Sequence, residues 1–314
     1  MVNEILVGDA LEKLKEIPDR TVQTVITSPP YYGLRDYGVE GQIGLEETPE
    51  EYIDRLVEVF REVRRTLKDD GTLWLNLGDS YWSKRSKNGL SWTQEGSKNI
   101  KQSLRAGGKN HKFYKPKDLM GMPWRVALAL QQDGWYLRSD IIWNKPNVIP
   151  ESVKDRPTKS HEYIFLLSKS EKYYYDHEAI KEDSVYKEKG YEPVRGSNGT
   201  FGPLQSRIRE SKEKGSFKGK NGNESFRAVR NKRNKRDVWT IPTSSFKGAH
   251  FATFPEKLVE PCVLAGSKEK DIVLDPFGGS GTTAAVALKN NRNYLIIELN
   301  TDYSELIKER LKKY

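Results

Sequence analysis

The feature that most constrains this chain is an apolar run halted by two prolines. Val22 to Ile26 reads as a strand, and Thr27-Ser28-Pro29-Pro30-Tyr31-Tyr32 follows at once. Proline lacks the N–H that a central ladder needs, so the strand ends here and Ser-Pro-Pro-Tyr stands stiffly at its carboxyl edge. In open α/β sheets that edge is where ligands bind. The tetrapeptide offers a hydroxyl, two carbonyls whose own amides carry no competing N–H, and an aromatic face. Such a set suits a flat base with an exocyclic amino group: the oxygens accept its two N–H protons and the ring stacks. Pro-Pro-Tyr alone fits an ordinary strand-to-loop turn equally well.

The flanking sequence alternates strands with amphipathic helices, which predicts an α/β fold around a mostly parallel, doubly wound sheet. Glu4 to Val7 is a short strand ending at Gly8-Asp9, and Leu11, Leu14 and Ile17 then recur at helical spacing up to Pro18. Gly33 to Leu45 reads as a mobile loop over the strand tips. Thr48-Pro49-Glu50-Glu51 is a helix start, with a capping hydroxyl, a proline in the first turn and a glutamate reaching back. Tyr52, Leu56, Val59, Phe60, Val63 and Leu67 form that helix's apolar face. The strand Thr72 to Leu77 closes at Gly78-Asp79, so Asp79 either lines a pocket or caps a turn. Further on come a helix from Met122, a strand Tyr136 to Trp143, an apolar strand Tyr163 to Ser168 that Lys172 to Tyr175 extends or pairs with, and a helix from Pro255.

A chain of 314 residues accommodates one large α/β domain with an appendage, or two modest domains. No apolar run approaches the roughly 18–20 residues of a membrane span. The first residues lack a signal-peptide layout, and a single cysteine rules out an internal disulfide framework or a cysteine-rich zinc site. These features fit a cytoplasmic protein. The net charge of +9 is unevenly spread. Ser83 to Asp118 holds ten Lys and Arg against two acids, and Tyr186 to Arg236 fifteen against five. Together the two segments carry +18, which leaves about −9 on the rest. Clustered cations of this kind invite a polyanion, since Lys and Arg neutralise phosphates while Arg, Asn and Gln read base edges.

Near the other end, Ile272-Val273-Leu274-Asp275 leads into Pro276-Phe277-Gly278-Gly279-Ser280-Gly281-Thr282-Thr283, then an Ala-rich helix, then a strand ending at Glu298. Strand, glycine-rich turn, helix, strand and acid make a mononucleotide-binding unit. A P-loop would need Lys after Gly281, where Thr282 stands, and the dinucleotide fingerprint is broken at Ala284.

Ser28-Pro29-Pro30-Tyr31 resembles the catalytic motif (Asp/Asn/Ser)-Pro-Pro-(Tyr/Phe) of amino-methylating DNA methyltransferases, in the serine form typical of cytosine-N4 enzymes. Asp275 to Thr282 resembles that family's S-adenosylmethionine motif almost residue by residue. Catalytic motif first and cofactor motif last is the permuted order that the family calls its β class. The resemblance implies an S-adenosylmethionine-dependent methyltransferase fold with a basic target-recognition insertion. Residues 1–82 then form the catalytic half, 83–118 a flexible basic loop, 119–185 the remainder of that half, 186–236 the target-recognition segment and 237–314 the cofactor half. Ser28, Pro29, Pro30 and Tyr31 would be catalytic. Asp9, Thr253, Phe254, Asp275, Phe277, Gly278, Gly279, Gly281, Thr282, Glu298 and Asn300 would bind the cofactor, with Asp9 also a plain helix cap. Tyr32, Asp79 and Trp143 would meet the target base, although a strand tryptophan is as readily core. Double-stranded DNA is the implied partner, with a restriction endonuclease paired in function without a stable complex, no membrane, and a monomer or homodimer.

The chemistry implied is methyl transfer to an amino nitrogen whose lone pair is delocalised into its ring. Hydrogen bonds from both N–H groups to the Ser28 hydroxyl and the Pro29 carbonyl favour a pyramidal nitrogen aimed at the methyl group. The target must leave the duplex, with Tyr31 as its stacking platform. Adenine-N6 methylation is the near rival, and RNA or protein amino-methylation a more distant one. Cytosine-C5 chemistry needs a Pro-Cys nucleophile, but Pro261-Cys262 lies in an amphipathic helical pattern and reads as core. His111, His161, His177 and His250 show no metal-ligand spacing, so no metal is expected. Ser28→Ala and Tyr31→Ala are expected to cut turnover severely while leaving S-adenosylmethionine affinity nearly intact, as measured by single-turnover kinetics beside calorimetry.

Overall fold

The computed structural model describes residues 2–83, 107, 111–148, 150–184, 232–244 and 255–314. Thr253, Phe254, His250 and most of both basic segments lie outside them. The described residues divide into two compact units, one of residues 1–176 and 237–314 and one of 177–236.

The larger unit is built on one eight-stranded sheet. In chain order its strands are β1 (Glu4–Val7), β2 (Val22–Thr27), β3 (Leu67–Leu77), β4 (Tyr136–Asn144), β5 (His161–Ser168), β8 (Val238–Thr240), β9 (Ile272–Asp275) and β10 (Asn293–Glu298). Across the sheet they stand in the order β1-β10-β9-β2-β3-β5-β4-β8. Neighbours from β1 to β3 pair in parallel, as do β4 and β8, while β5 runs antiparallel to both β3 and β4. The smaller unit contains an antiparallel pair, β6 (Glu182–Asp183) and β7 (Lys232–Arg233), where Glu182 accepts from Arg233 at 2.9 Å and Arg236 at 2.7 Å.

Six helices in the larger unit complete the fold: α1 (Ala10–Lys15), α2 (Pro49–Thr66), α3 (Met122–Gln132), α4 (Glu256–Gly266), α5 (Thr282–Lys289) and α6 (Thr301–Leu311). Because side chains alternate along a strand, each strand serves both faces. Val25, Leu73, Leu75, Leu274, Leu295 and Ile297 join residues of α1, α2 and α3 in one core cluster. On the opposite face α4 packs on β2 and β3, and α5 on β9 and β10. All six residues of β2 are buried, as expected of a parallel strand covered on both sides.

Local chemistry sets the element ends. The helix start anticipated at Thr48 is a full capping box, with Thr48 Oγ1 accepting from Glu51 N at 3.2 Å and Glu51 Oε2 accepting from Thr48 N at 3.2 Å. Pro49 fills the first turn of α2, whose Tyr52, Leu56, Val59, Phe60 and Val63 are buried. β3 begins at Leu67, five residues before the strand anticipated from Thr72, because α2 passes straight into it. Lys172 to Tyr175 form no strand. Cys262 is buried in α4, where its thiol donates to Leu258 O at 3.4 Å, so the core reading of that residue holds. Among the described residues no helix is long and apolar enough to cross a membrane.

The strand order creates the site. From β9 the chain proceeds to β10 on one side, and from β2 to β3 on the other. Loops leaving the carboxyl ends of these adjacent strands therefore diverge, and a crevice opens between them.

Candidate active site

Beneath that crevice the two motif loops are tied together. The hydroxyl of Thr27, the last residue of β2, donates to Asp275 Oδ1 at 2.6 Å. Thr283 Oγ1 donates to Oδ2 at 2.8 Å, and Phe277 N to Oδ1 at 3.1 Å. Burial pushes the Asp275 carboxyl up to about 6, and the two hydroxyls and the amide oppose that shift. Asp275 is 1% exposed and lies below the cleft rather than on its wall. The cofactor-ligand reading of this residue is therefore corrected: it is a buried staple between the loops. Gly281 is corrected likewise. It sits at φ +73° at the start of α5, off the cleft wall, and a Cβ there would come within 2.7 Å of Ile307 Cγ2. Glycine is needed at this point for the turn and for α6 to approach.

Above the staple lies a cleft of about 280 Å³ that takes in residues of both motifs, Ser28 to Tyr31 and Pro276 to Ser280 among them. On one side Glu298, at the tip of β10, accepts from Gly279 N at 2.7 Å and from Asn300 N at 2.9 Å. Burial raises its carboxyl to about 7 despite those amide donors. Asp9, Phe277, Gly278, Gly279, Thr282, Glu298 and Asn300 all line the cleft as anticipated. Asp9 also caps α1 through Glu12 N at 3.1 Å, so its two expected placements coexist. Asn300 caps α6 in the same way, accepting from Asp302 N at 2.8 Å.

The other side holds the Ser-Pro-Pro-Tyr turn. Ser28 Oγ donates to Tyr31 Oη at 3.3 Å, and Tyr31 Oη donates to Glu162 Oε2 at 2.8 Å. Asn76 Nδ2 donates to the same carboxylate oxygen at 3.1 Å, while Lys145 pairs with the other. Lys145 Nζ also lies 4.3 Å from the centroid of the Trp143 ring. Trp143 is core and wall at once: 3% exposed, its indole N–H donates to Ile241 O at 2.8 Å, and it still borders the cleft. The Tyr31 ring lies so close over Gly78 that a Cβ there would stand 2.6 Å from Cε2. Burial, then the Glu162 charge, hold the Tyr31 phenol far above its usual range, so it keeps its proton.

Two target-base candidates are placed elsewhere. Tyr32 points into the core, where its hydroxyl donates to Glu47 O at 3.2 Å and its ring centroid stands 5.6 Å from that of Tyr52. Side chains alternate in an extended turn, so Tyr31 and Tyr32 cannot both face the cleft. The carboxylate of Asp79 accepts from Ser80 N at 2.9 Å and from Gly121 N and Met122 N at 3.1 Å, securing the start of α3. It is the turn-capping residue and does not line the cleft.

With this geometry in hand, comparison with known proteins is decisive. The family model for DNA methylases of the N6/N4 class matches residues 22–309. The chain belongs to the amino-methylating DNA methylases. It is 48% identical over 308 residues to the type II methyltransferase M.SmaI of Serratia marcescens, covering 98% of this chain and 90% of that one. It is 46% identical over 305 residues to M.Cfr9I of Citrobacter freundii, covering 97% and 86%. Among solved structures, the PvuII cytosine-N4-specific DNA methyltransferase superposes with a TM-score of 0.62 over 99% of this chain and 86% of its own, at 20% identity, a likeness of fold. A DNA modification methylase of Thermus thermophilus, TTHA0409, solved in complex with S-adenosyl-L-methionine, superposes at 0.58 with 25% identity over 99% and 94%. The fold is that of S-adenosylmethionine-dependent DNA methyltransferases.

This methylase carries cleft residues that the sequence reading missed. Glu162 and Lys145 reach the site from the β4–β5 corner, and Arg35, Tyr37 and Tyr303 join the cofactor side. A signal existed for Lys145, which follows Trp143 and Asn144 directly. For Glu162 there was none, because residues at the start of a strand lie at this edge only if the strand runs backwards. If Asp275 staples the loops, Asp275→Asn should cost on the order of 1–3 kcal/mol of stability, the price of a buried polar network left half-satisfied. Denaturant unfolding without any ligand reads this directly; an unchanged midpoint would return Asp275 to the role of ligand.

Proposed function

We propose that this methylase transfers the methyl group of S-adenosylmethionine to the N4 amino group of cytosine in duplex DNA, at a base turned out of the helix. The observation that carries the reading is Ser28 at the head of the catalytic turn, facing the glycine-rich loop across one cleft. Its own proton is given to Tyr31. The Ser28 oxygen is therefore left as an acceptor for an amino N–H, with Pro29 beside it on the wall.

The residues on the opposite wall fit the methyl donor. Asp9 and Glu298 both face the cleft, and two carboxylates there oppose a phosphate-bearing ligand while suiting a donor that carries a positive sulfonium. We assign the ribose hydroxyls to Glu298, the adenine end to Asp9 and Phe277, and the close backbone approach to Gly279. Bound here, S-adenosylmethionine supplies an activated methyl group on a cationic sulfur. The chain's part is alignment: it fixes the amino nitrogen, turns its lone pair toward the methyl group and keeps water out. The basic runs Ser83 to Asp118 and Tyr186 to Arg236 we assign to the DNA phosphates and to target reading.

Two measurements test this reading. DNA methylated in vitro, digested to nucleosides and separated, should contain N4-methylcytosine; N6-methyladenine in its place would refute the choice of base, and label entering only RNA or protein would refute the substrate class. Ribose hydroxyls donate to Glu298 only when it is ionised, and its carboxyl titrates at about 7. Affinity for S-adenosylmethionine should therefore strengthen from about pH 6 to about pH 8, and Glu298→Gln should remove that part of the dependence.

A further inference from the structure

We propose that Glu162 is a positioning residue of the methyl-transfer site: through Tyr31 it fixes the direction of the hydroxyl chain, so that Ser28 meets the target amino group only as an acceptor. The inference rests on the reading that Ser28 receives that amino group, whichever base carries it.

A hydroxyl has one proton and can either donate or accept along a given line. If the Ser28 proton pointed into the cleft it would confront the N–H of the substrate, and the hydrogen bond that aligns the nitrogen would be lost. The choice is made at the far end of the chain. An ionised carboxylate only accepts. Glu162 Oε2 takes the Tyr31 proton at 2.8 Å, so Tyr31 Oη is free to accept from Ser28 Oγ at 3.3 Å. The Ser28 proton is thereby engaged inside the protein and its lone pairs remain for the cleft.

The surroundings hold Glu162 in this role. Lys145 pairs with its other oxygen, and the two side chains are only 15% and 16% exposed, so the charge is well screened from water. Asn76 donates to Oε2 at 3.1 Å and to Tyr163 O at 3.1 Å, which engages both amide protons and turns Asn76 Oδ1 toward Tyr31 Oη, 3.3 Å away. Every group around the phenol oxygen other than Ser28 therefore accepts. The order of protons follows from this set: Ser28 to Tyr31, Tyr31 to Glu162.

A double-mutant cycle on the full chain with duplex DNA and S-adenosylmethionine tests the assignment. In Glu162→Gln the side chain keeps its shape but can present an NH2 to Tyr31, which would turn the chain around. Its kcat should fall by about 10-fold or more, while KM for DNA and S-adenosylmethionine affinity stay within about 2-fold. Tyr31→Phe keeps the ring and removes only the hydroxyl through which Glu162 acts. In that background Glu162→Gln should change kcat by less than about 2-fold. Multiplying effects in the double variant, or an unaltered kcat in Glu162→Gln, would overturn the proposal. So would a loss of cofactor affinity matching the loss of kcat, which would make Glu162 merely structural. If Glu162→Gln does not fold, Tyr31→Phe decides alone: the proposal requires a reduced kcat at unchanged cofactor affinity, and a wild-type kcat ends it. The wild-type product, cytosine or adenine, is read separately, so an error over the base leaves this outcome distinguishable.

Discussion

The catalytic cleft depends on one buried carboxylate. Asp275 receives hydroxyls from Thr27 and Thr283, and the Thr27 bond joins residues 248 apart in sequence. Burying a carboxylate is costly unless it is well hydrogen-bonded, and its raised proton affinity registers that cost. Charge-assisted bonds are short and directional, so the cost brings geometric definition. The strand that presents Ser28 and the strand that presents Gly279 are thereby held side by side. Without this tie the two motifs would be two loops on neighbouring strands rather than two walls of one cleft.

On that base the two walls are electrostatically distinct. The donor wall has Asp9 and Glu298, carboxylates that suit a positively charged ligand. The acceptor wall is a relay of hydroxyls ending at the Glu162–Lys145 pair, whose charges balance each other. One wall attracts a sulfonium, and the other offers neutral oxygens to an amino group. Methyl transfer from a cation to a neutral nitrogen asks for this asymmetry, since the leaving group departs uncharged and alignment supplies most of the catalysis.

Much of this was legible in the residues. Two prolines after an apolar run fixed where β2 ends, and glycines after Asp275 fixed where the backbone turns. The capping box at Thr48 and the apolar face of α2 followed from periodicity and cap chemistry alone. The misreadings share one cause. Asp275, Gly281, Tyr32 and Asp79 lie in or beside the right motifs, yet their side chains or Cα positions serve packing and capping. Membership of a motif places a residue near a site; only the pleat and the turn decide whether it points in.

The sequence by itself determined the local stops, the amphipathic faces, the paired motifs and the clustering of positive charge, because each depends on residues close together in the chain. Tertiary structure alone decided which motif residues face the cleft, that Asp275 joins the two loops, and that Glu162 belongs to the site. Glu162 lies near the start of its strand, and it reaches the catalytic edge because β5 runs against its neighbours. Strand direction is settled by pairing across the sheet, a long-range choice that no short stretch of sequence encodes.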